Sequence, residues 1–346
     1  MSVTRKQVAK FAGVSEATVS YVVNNGPRPV AAETRERVRE AIRVLGYHPS
    51  DVARSLRMQR TSTFGLVVPD TANPFYGEIA RIIENVGYEN GYTVLLCNSN
   101  GDSEREINYI NTLRSKRVAG VVIIPTEPSA VTYLLDANIP TVVMEHDIPG
   151  AYCLIADDFG GGVAVAKHLL ELGHTHIEIL ARDGDTSNST KRADGIGYTL
   201  RWKGQTPPAS ASIPKTFSPG ADPNHVRAMS DTEYGSVYTS DILSRDTTAI
   251  IAHNDSMALG VMAAIRRNGL RIPQDVSVVG FDDIAEAAYI DPPLTTVAHP
   301  KLAMGEQAAR LLIDLVLGKE TAPPNTITFE MKLVVRGSTA PPPKRI

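Results

Sequence analysis

The feature that most constrains this chain is the regular alternation of short apolar runs with amphipathic segments from Thr63 onward. In chain order the runs read FGLVV, YTVLLC, GVVII, PTVVM, IEIL, AIIA and VSVVGF. Strands that alternate with helices predict parallel sheets with helices on both faces. About 280 residues exceed one comfortable sheet, so two doubly wound parallel-sheet lobes are expected.

Ligands of such folds bind beyond the carboxyl ends of the strands, where two lobes face each other. The residues that follow the strands combine aromatic rings with bidentate polar groups, which suits a sugar or a nucleoside. Each of them alone is more often a cap or turn residue. They are residues 70–76, Glu145, His146, Arg192, Asn254, Asp255, Asp282 and Asp283.

The first 60 residues differ from the rest in charge. They hold 11 Lys/Arg against 5 Asp/Glu, a charge of +6, whereas the whole chain carries −3. A basic segment attached to an acidic body predicts a polyanionic partner for that segment alone.

Local signals divide this basic segment into three short helices. Thr4 and Gln7 have the spacing of a capping box, and Gly13 is placed to end the first helix. Ser15 can cap the second helix, and Gly46 can end the third. Two short helices that meet across a tight turn are typical of a helix-turn-helix.

The outward face of the second helix carries short or planar polar groups that can reach base edges. An ordinary solvated face is the alternative for an isolated helix, but the basic surroundings favour DNA. The face comprises Glu16, Ala17, Ser20, Tyr21 and Asn24, and the surrounding cations are Arg5, Lys6, Lys10 and Arg28.

The runs VAKFAGVSEATVSYVVN, V..ETRERVREAI..LGY.P and ARSLR resemble the head and hinge of the LacI/GalR family of bacterial repressors, and the resemblance extends to about Gly337. It implies an all-α helix-turn-helix domain (1–48), a hinge helix and linker (49–60), and a periplasmic-binding-protein-like core (61–340). The expected first lobe is about 61–157 with 295–318, and the second about 158–294 with 319–340.

The resemblance also assigns DNA contacts. The base-reading positions fall on Glu16, Ala17 and Tyr21, and Leu56 would wedge between base steps of the minor groove. Many relatives have Arg in place of Tyr21, and Ser in place of Ala31. The remaining expected DNA contacts are Arg5, Ser15, Thr18, Ser20, Asn24, Arg28, Tyr47 and Ala53.

For the small molecule, the resemblance implies an effector that switches operator affinity. The run NPFYGEIARIIENVGYENGYTVLLCNSNGD is similar to the ribose and purine repressors of the family. No aromatic residue stands where one would cap a purine, which favours a sugar such as a pentose and leaves a purine or nucleoside as the alternative. The expected effector-binding residues are Asn73, Phe75, Tyr76, Glu145, His146, Arg192, Asn254 and Asp282.

Two other classes of protein have weaker support. An enzyme could be suggested by the glycines 160–162, by His168, His174 and His176, and by the Asp157–Asp158 and Asp282–Asp283 pairs. However, the glycines lack the spacing of a phosphate loop, the histidines lack that of a metal site, and no nucleophile or base is evident around the acidic pairs. A secreted sugar-binding protein would lack the basic head. We therefore expect no catalytic residue, no cofactor and no metal.

The remaining expectations concern assembly and location. An inverted-repeat operator requires two heads, which predicts a homodimer, and the C-terminal segment lacks the leucine heptads that would build a tetramer. Neither an export-type apolar segment nor a membrane span is evident, so a cytoplasmic protein is expected. Cys97 and Cys153 lie in apolar runs and are expected to be buried thiols.

Overall fold

The computed structural model describes residues 3–23, 28–47, 61–182, 187–204, 229–243, 246–320 and 322–344. The chain divides into two compact units, Met1–Thr61 and Ser62–Ile346. The expected hinge (49–60), with Ala53 and Leu56, lies outside the described residues, as does Asn24. Among the helices described, none is both long and apolar enough to cross a bilayer.

The N-terminal unit consists of three helices: α1 (Arg5–Ala12), α2 (Glu16–Val23) and α3 (Ala32–Leu45). The capping box before α1 is confirmed, because Thr4 accepts from the Gln7 backbone and the Gln7 side chain accepts from the Thr4 backbone at 2.7 Å. Gly13 and Gly46 end α1 and α3 with φ of 64°, a conformation that costs glycine little. Ala31 supplies no side-chain cap to α3.

The three helices enclose a small apolar core. One face of each helix contributes to it, in the 3.6-residue period that the sequence predicts. Its buried members are Val8, Ala9, Ala12, Val19, Val22, Val38, Ala41 and Tyr47.

The second unit contains two sheets. The first has the strand order β10-β5-β4-β3-β1-β2 and is parallel throughout, and the second has the order β11-β9-β8-β7-β6, in which only β11 is antiparallel. The strands are β1 (Thr63–Val68), β2 (Thr93–Asn98), β3 (Gly120–Ile123), β4 (Thr141–Met144), β5 (Tyr152–Ala156), β6 (Ile177–Leu180), β7 (Ala249–Ala252), β8 (Ser277–Asp282), β9 (Thr295–Ala298), β10 (Thr326–Phe329) and β11 (Lys332–Val334).

Helices cover both sheets, so the two doubly wound lobes expected from the sequence are confirmed. The first lobe comprises the six-stranded sheet with α4 (Pro74–Glu89), α5 (Ser103–Ser115), α6 (Pro128–Asp136) and α11 (Lys301–Leu317). The second comprises the five-stranded sheet with α7 (Asp158–Glu171), α8 (Ser187–Trp202), α9 (Asp231–Ile242), α10 (Asp255–Arg267) and a 3-10 turn (Ala285–Ala288).

The chain crosses between the lobes at positions different from those expected. We expected 295–318 in the first lobe and 319–340 in the second. Instead β9 pairs with β8 in the second lobe, and β10 pairs with β5 in the first. A strand of four residues carries no local signal for the sheet edge that it joins, because its hydrogen bonds are all long-range.

The glycines at 160–162 have a packing role. They lie inside α7, and a methyl group at Gly162 would overlap the backbone carbonyl of Arg192 on α8. Gly195 on α8 would overlap the carbonyl of Phe159 in the same way. The two helices therefore approach backbone to backbone, which accounts for Gly162 and Gly195 without a phosphate, whereas a methyl group at Gly160 would meet the Asp157 side chain.

Candidate nucleic-acid interface and ligand cleft

Helix α2 presents its predicted recognition residues on the side opposite to the core. Glu16 and Ala17 are exposed and Tyr21 is half-buried, whereas Val19 and Val22 are buried beneath them. The Ser15 hydroxyl caps the helix by accepting from Thr18 N at 3.1 Å. The helix is therefore fixed at its start, and its exposed face is free of long solubilising chains.

The head also carries exposed cations outside α2. Arg39 and Arg43 of α3 are each paired with a glutamate, whereas Lys6, Lys10 and Arg28 form no such pair within the described residues. Arg5 is half-buried at the start of α1. The positive charge beside α2 is available to phosphate groups.

The structure places one expected DNA contact differently. Tyr47 follows α3 and is only 8% exposed, because its ring belongs to the core of the head. Its packing stabilises the three-helix unit, and a DNA contact by its ring stays a prediction.

The ligand cleft of the second unit has a buried guanidinium at its centre. Arg192 on α8 donates to Asp158 Oδ1 at 2.7 Å and to the His253 carbonyl at 2.7 Å, and it lies 3.5 Å from Asp282 Oδ1. Its guanidinium also lies over the Phe281 ring, 4.6 Å from the centroid. Burial opposes its charge, but Asp158 and Asp282 raise the pKa of Arg192 above its usual value.

Glu145 of the first lobe meets the second lobe in the same region. It follows β4 with φ of 68°, a left-handed conformation that is uncommon for a residue with a side chain. Asn188 donates to its Oε2 at 2.8 Å, and His299 Nε2 lies 3.0 Å from its Oε1. Burial would raise the pKa of Glu145, but His299, Arg192 and His146 outweigh it and the pKa is lowered. Burial lowers the pKa of His146, and Glu145 offsets this in part.

Asn73 and Asn254 converge on one carboxylate. Asn73 caps α4, Asn254 caps α10, and both side-chain amides point to Asp231 Oδ2, at 3.5 and 2.7 Å. Ser256 donates to Asn73 Oδ1 at 3.4 Å. Because Asn73 belongs to the first lobe and the others to the second, these contacts also bridge the lobes.

Two aromatic rings lie on the first-lobe side. Phe75 is 5% exposed and packs edge-on against Tyr76 and His299, with centroid distances of 5.0 and 4.8 Å. Tyr76 is the more accessible of the two rings.

Buried carboxyls support the turn after β8. Asp282 and Asp283 both have positive φ, and burial raises the pKa of Asp282 although Arg192 opposes this. Asp255 accepts from Thr296 Oγ1 at 2.6 Å and from Ile284 N at 2.9 Å. Burial and the neighbouring Asp282 raise the pKa of Asp255 well above its usual value.

Empty space adjoins these groups. A pocket of about 150 Å³, partly open to solvent, is lined by Asp70, Asn73, Ser230, Asp231, Ser256 and Glu286. A second, more apolar space beside Arg192 and Phe281 measures only about 10 Å³, which is room for about one water molecule. Both adjoin residues that the sequence selects.

Several residues of the cleft were not predicted from the sequence. His299 follows β9, so the rule that selects Glu145 and Asp282 selects it too once TTVA is recognised as a strand. The sequence shows Asp158 only as one member of an acidic pair, although of the two carboxylates beside Arg192 it is the nearer one. Asn188 and Asp231 follow no strand of the sequence pattern and had no local signal, whereas His253 directly follows the run AIIA.

The three histidines that could suggest a metal site form hydrogen bonds with other groups of the protein. His168 bonds to Thr339 at 3.0 Å, and His174 bonds to Thr248 Oγ1 and to the Ala340 carbonyl, both at 2.9 Å. His176 bonds to Thr175. Within the part of the chain that the structure describes, no group of three or more potential ligands could hold a metal ion.

Comparison with known proteins identifies both units. Residues 4–50 match the model of bacterial regulatory proteins of the lacI family, and residues 166–339 match a periplasmic binding protein-like domain. The HTH-type transcriptional repressor PurR of Aliivibrio fischeri is 36% identical over 324 residues, which cover 92% of this chain and 93% of the relative.

Solved structures agree with this. A lac repressor dimer bound to operator and the anti-inducer ONPF matches 98% of this chain and 100% of its own, with a TM-score of 0.79 and 27% identity. A LacI family regulator from Enterococcus faecium with bound ribose matches 81% of this chain and 99% of its own, with a TM-score of 0.70 and 29% identity.

Proposed function

The chain belongs to the LacI family of bacterial regulatory proteins, and from that premise we propose that it represses transcription from an inverted-repeat operator. A small neutral sugar bound between the lobes of the core switches its affinity for that DNA. The role needs no catalysis and no cofactor. Action on chromosomal DNA places the protein in the cytoplasm.

The observation that carries this proposal is the exposed face of α2 in a basic three-helix head. Short or planar side chains at 16, 17 and 21 can enter a major groove while Lys6, Lys10 and Arg28 neutralise phosphates. A tyrosine cannot grip guanine bidentately as arginine does, so the half-site should differ from those that arginine reads.

The chain acts as a homodimer in this proposal. Two heads are needed to read the two halves of an inverted repeat, and the lac repressor relative is a dimer on its operator. The hinge segment (49–60) would order between the heads as DNA is bound, with Leu56 entering the minor groove.

The effector assignment depends on the polar cleft. Carboxylate, amide and guanidinium groups from both lobes converge there, and vicinal hydroxyls can replace their mutual hydrogen bonds. The ribose-bound relative supports a sugar. A purine remains the second candidate because the PurR relatives are similar over almost the whole chain.

The operator can be found without knowing the regulated genes. The full chain is used to select binding sequences from a pool of random duplex DNA, and an inverted repeat is expected. Tyr21→Ala should weaken binding to the selected duplex by about 10-fold or more and relax preference at one position of each half-site.

A matched control is Tyr198→Ala, which removes an exposed tyrosine of α8 in the core. It should leave DNA affinity unchanged. Failure to enrich any sequence, or equal loss in both variants, would contradict the assignment of α2 as the DNA-reading helix.

A further inference from the structure

A group of four charged side chains crosses from one lobe to the other. It consists of Glu78 on α4 and Lys301 at the start of α11, both in the first lobe, and of Asp283 and Arg336 in the second. The charges alternate in sign along this series of contacts. Neither of the two pockets of the cleft is lined by any of these residues.

Lys301 makes the connection between the lobes. Its Nζ lies 3.0 Å from Glu78 Oε2 within the first lobe, and it donates to the Asp283 carbonyl oxygen of the second lobe at 2.8 Å. The Asp283 carboxylate accepts from Arg336 Nη2 at 2.7 Å, and Arg336 Nη1 donates to the Leu294 carbonyl at 3.0 Å. The ammonium group therefore bonds to a turn that other contacts within the second lobe already hold in place.

The position of this lysine is unfavourable in itself. Lys301 is only 8% exposed, and burying an ammonium group costs free energy unless the group is paired. Lys301 is also the first residue of α11, where the positive end of the helix dipole opposes a cation. An apolar residue at this position would avoid both costs, so packing within the first lobe does not account for a lysine there.

The two partners of Lys301 belong to different bodies. Helices α4 and α11 pack closely, because a methyl group at Gly305 of α11 would lie 2.8 Å from Ile82 Cγ2 of α4. Glu78 and Lys301 therefore move together, whereas Asp283 follows β8 and moves with the second lobe. A change in the angle between the lobes alters the Lys301–Asp283 contact and leaves the Lys301–Glu78 contact intact.

The turn that Lys301 holds also reaches the expected effector site. Asp282, the residue before Asp283, is an expected effector contact and lies 3.5 Å from Arg192. Asp282 and Asp283 have φ of 104° and 52°, so the backbone of the turn is held in an uncommon conformation. A movement of Asp282 therefore displaces the carbonyl group to which Lys301 donates.

We propose that Lys301 is an interlobe latch, a side chain that stabilises the arrangement of the lobes in this structure and thereby sets the operator affinity of the effector-free protein. The inference rests on the proposed switch. It adds a residue that acts on the equilibrium between lobe arrangements without contacting the effector. Loss of the latch shifts that equilibrium by the free energy of the contact that is lost.

The first test needs neither operator nor sugar. A donor and an acceptor fluorophore are attached to Lys116→Cys in the first lobe and Lys167→Cys in the second, which replace exposed lysines, whereas Cys97 and Cys153 are buried. Labelled chain is mixed with an excess of unlabelled chain, so that energy transfer occurs within one subunit. Lys301→Met should shift the distribution of transfer efficiencies of the effector-free protein.

The second test measures both affinities of the full chain, for the selected duplex and for the neutral sugar that binds most tightly. Lys301→Met should change operator affinity about 5-fold or more, and sugar affinity should change as well. Glu78→Gln should act in the same direction. The double variant should not exceed Lys301→Met, because Glu78 acts through Lys301.

His174→Leu is the control for general damage. It removes a buried histidine that bonds to Thr248 and to the Ala340 carbonyl within the second lobe. This variant should lower the melting temperature and leave the interlobe distance and both affinities unchanged.

Each result decides the question. An interlobe distance that is the same in wild type and Lys301→Met overturns the latch and leaves the proposed switch intact. A shifted distance with unchanged operator affinity overturns its control of DNA binding. Effects that His174→Leu reproduces would assign Lys301 a merely structural role. If wild type selects no duplex, the proposed function fails, and the distance measurement still decides whether Lys301 holds the lobes.

Discussion

Replacing Arg192 by Met is expected to be the most damaging single change in the cleft. The side chain keeps its length and apolar stem but loses the guanidinium that lies 2.7 Å from Asp158 and 3.5 Å from Asp282. Both carboxylates are almost fully buried, so each becomes a buried charge without compensation. Removing one partner of a buried ion pair costs about 3–5 kcal/mol, and we expect a loss of that size in the free energy of unfolding.

The assay is urea unfolding of the full chain at several pH values. Burial already raises the pKa of Asp282 while Arg192 opposes this, so without Arg192 the pKa of Asp282 should rise further and the folded protein should bind more protons than the unfolded one. The loss of stability in Arg192→Met is then present at neutral pH, and it becomes smaller as the pH falls toward about 4, the pKa of an aspartate in the unfolded chain. The difference between variant and wild type should therefore shrink from pH 7 to pH 4.

Arg271→Met is the matched control. Arg271 bonds to Asp275 through two side-chain nitrogens, but it is 72% exposed, so solvent screens the pair and its loss should cost much less than the loss of Arg192. A cost for Arg192→Met no larger than the control, or one that does not change with pH, would refute the argument that the guanidinium compensates two buried charges.

Three further predictions concern the helices and the buried acid. Thr4→Ala removes a helix cap and should lower the free energy of unfolding of the head by about 1 kcal/mol, whereas Ala31→Ser adds a cap and should raise it by a similar amount. Thermal unfolding followed by fluorescence labels on the head measures both effects, and equal melting temperatures would contradict the capping argument. Gly162→Ala should lower the free energy of unfolding by about 1–3 kcal/mol because the methyl group meets the Arg192 carbonyl, whereas Gly77→Ala, which places a methyl group in open space on α4, should raise it. Denaturant unfolding of the two variants must give changes of opposite sign. Asp255 has a raised pKa in the folded protein, so its contribution to the free energy of unfolding is complete below the pKa of the unfolded state and is lost as the pH rises through the pKa of the folded state. Asp255→Asn should therefore flatten the fall of stability with increasing pH, and an unchanged slope would show that the carboxyl does not titrate as inferred.

Local interactions made much of the fold predictable. The capping box at Thr4 and Gln7 depends on residues three apart, and the glycines at 13 and 46 end helices by their own conformation. The alternation of strands and helices likewise follows from periodicity within each element. These signals predict the three-helix head and the two-lobed core, both of which the structure and the relatives confirm.

Long-range pairing was not predictable in the same way. The sheet that β9 or β10 joins depends on hydrogen bonds to strands far away in the sequence, which no local pattern encodes. His299 was not predicted because the short run TTVA, which forms β9, did not stand out among the apolar runs. The burial of Tyr47 likewise depends on the packing of all three head helices.

The candidate cleft was predictable at the level of position. Among the residues placed after strands, Glu145 and Asp282 both lie near Arg192, and Asn73 and Asn254 both meet Asp231. Their partners could not be read from the sequence, since pairing between Asn188 and Glu145 joins residues 43 positions apart and in different lobes. Their role as ligand contacts stays a prediction.

Linkage between the two sites of the full chain distinguishes a molecular switch from two independent binding sites. The affinity for the selected duplex is measured with and without a saturating neutral sugar, and the affinity for the sugar is measured with and without that duplex. A molecular switch predicts that both affinities change by the same factor, because the coupling free energy is reciprocal. Operator affinity that is the same with and without bound sugar would contradict the account.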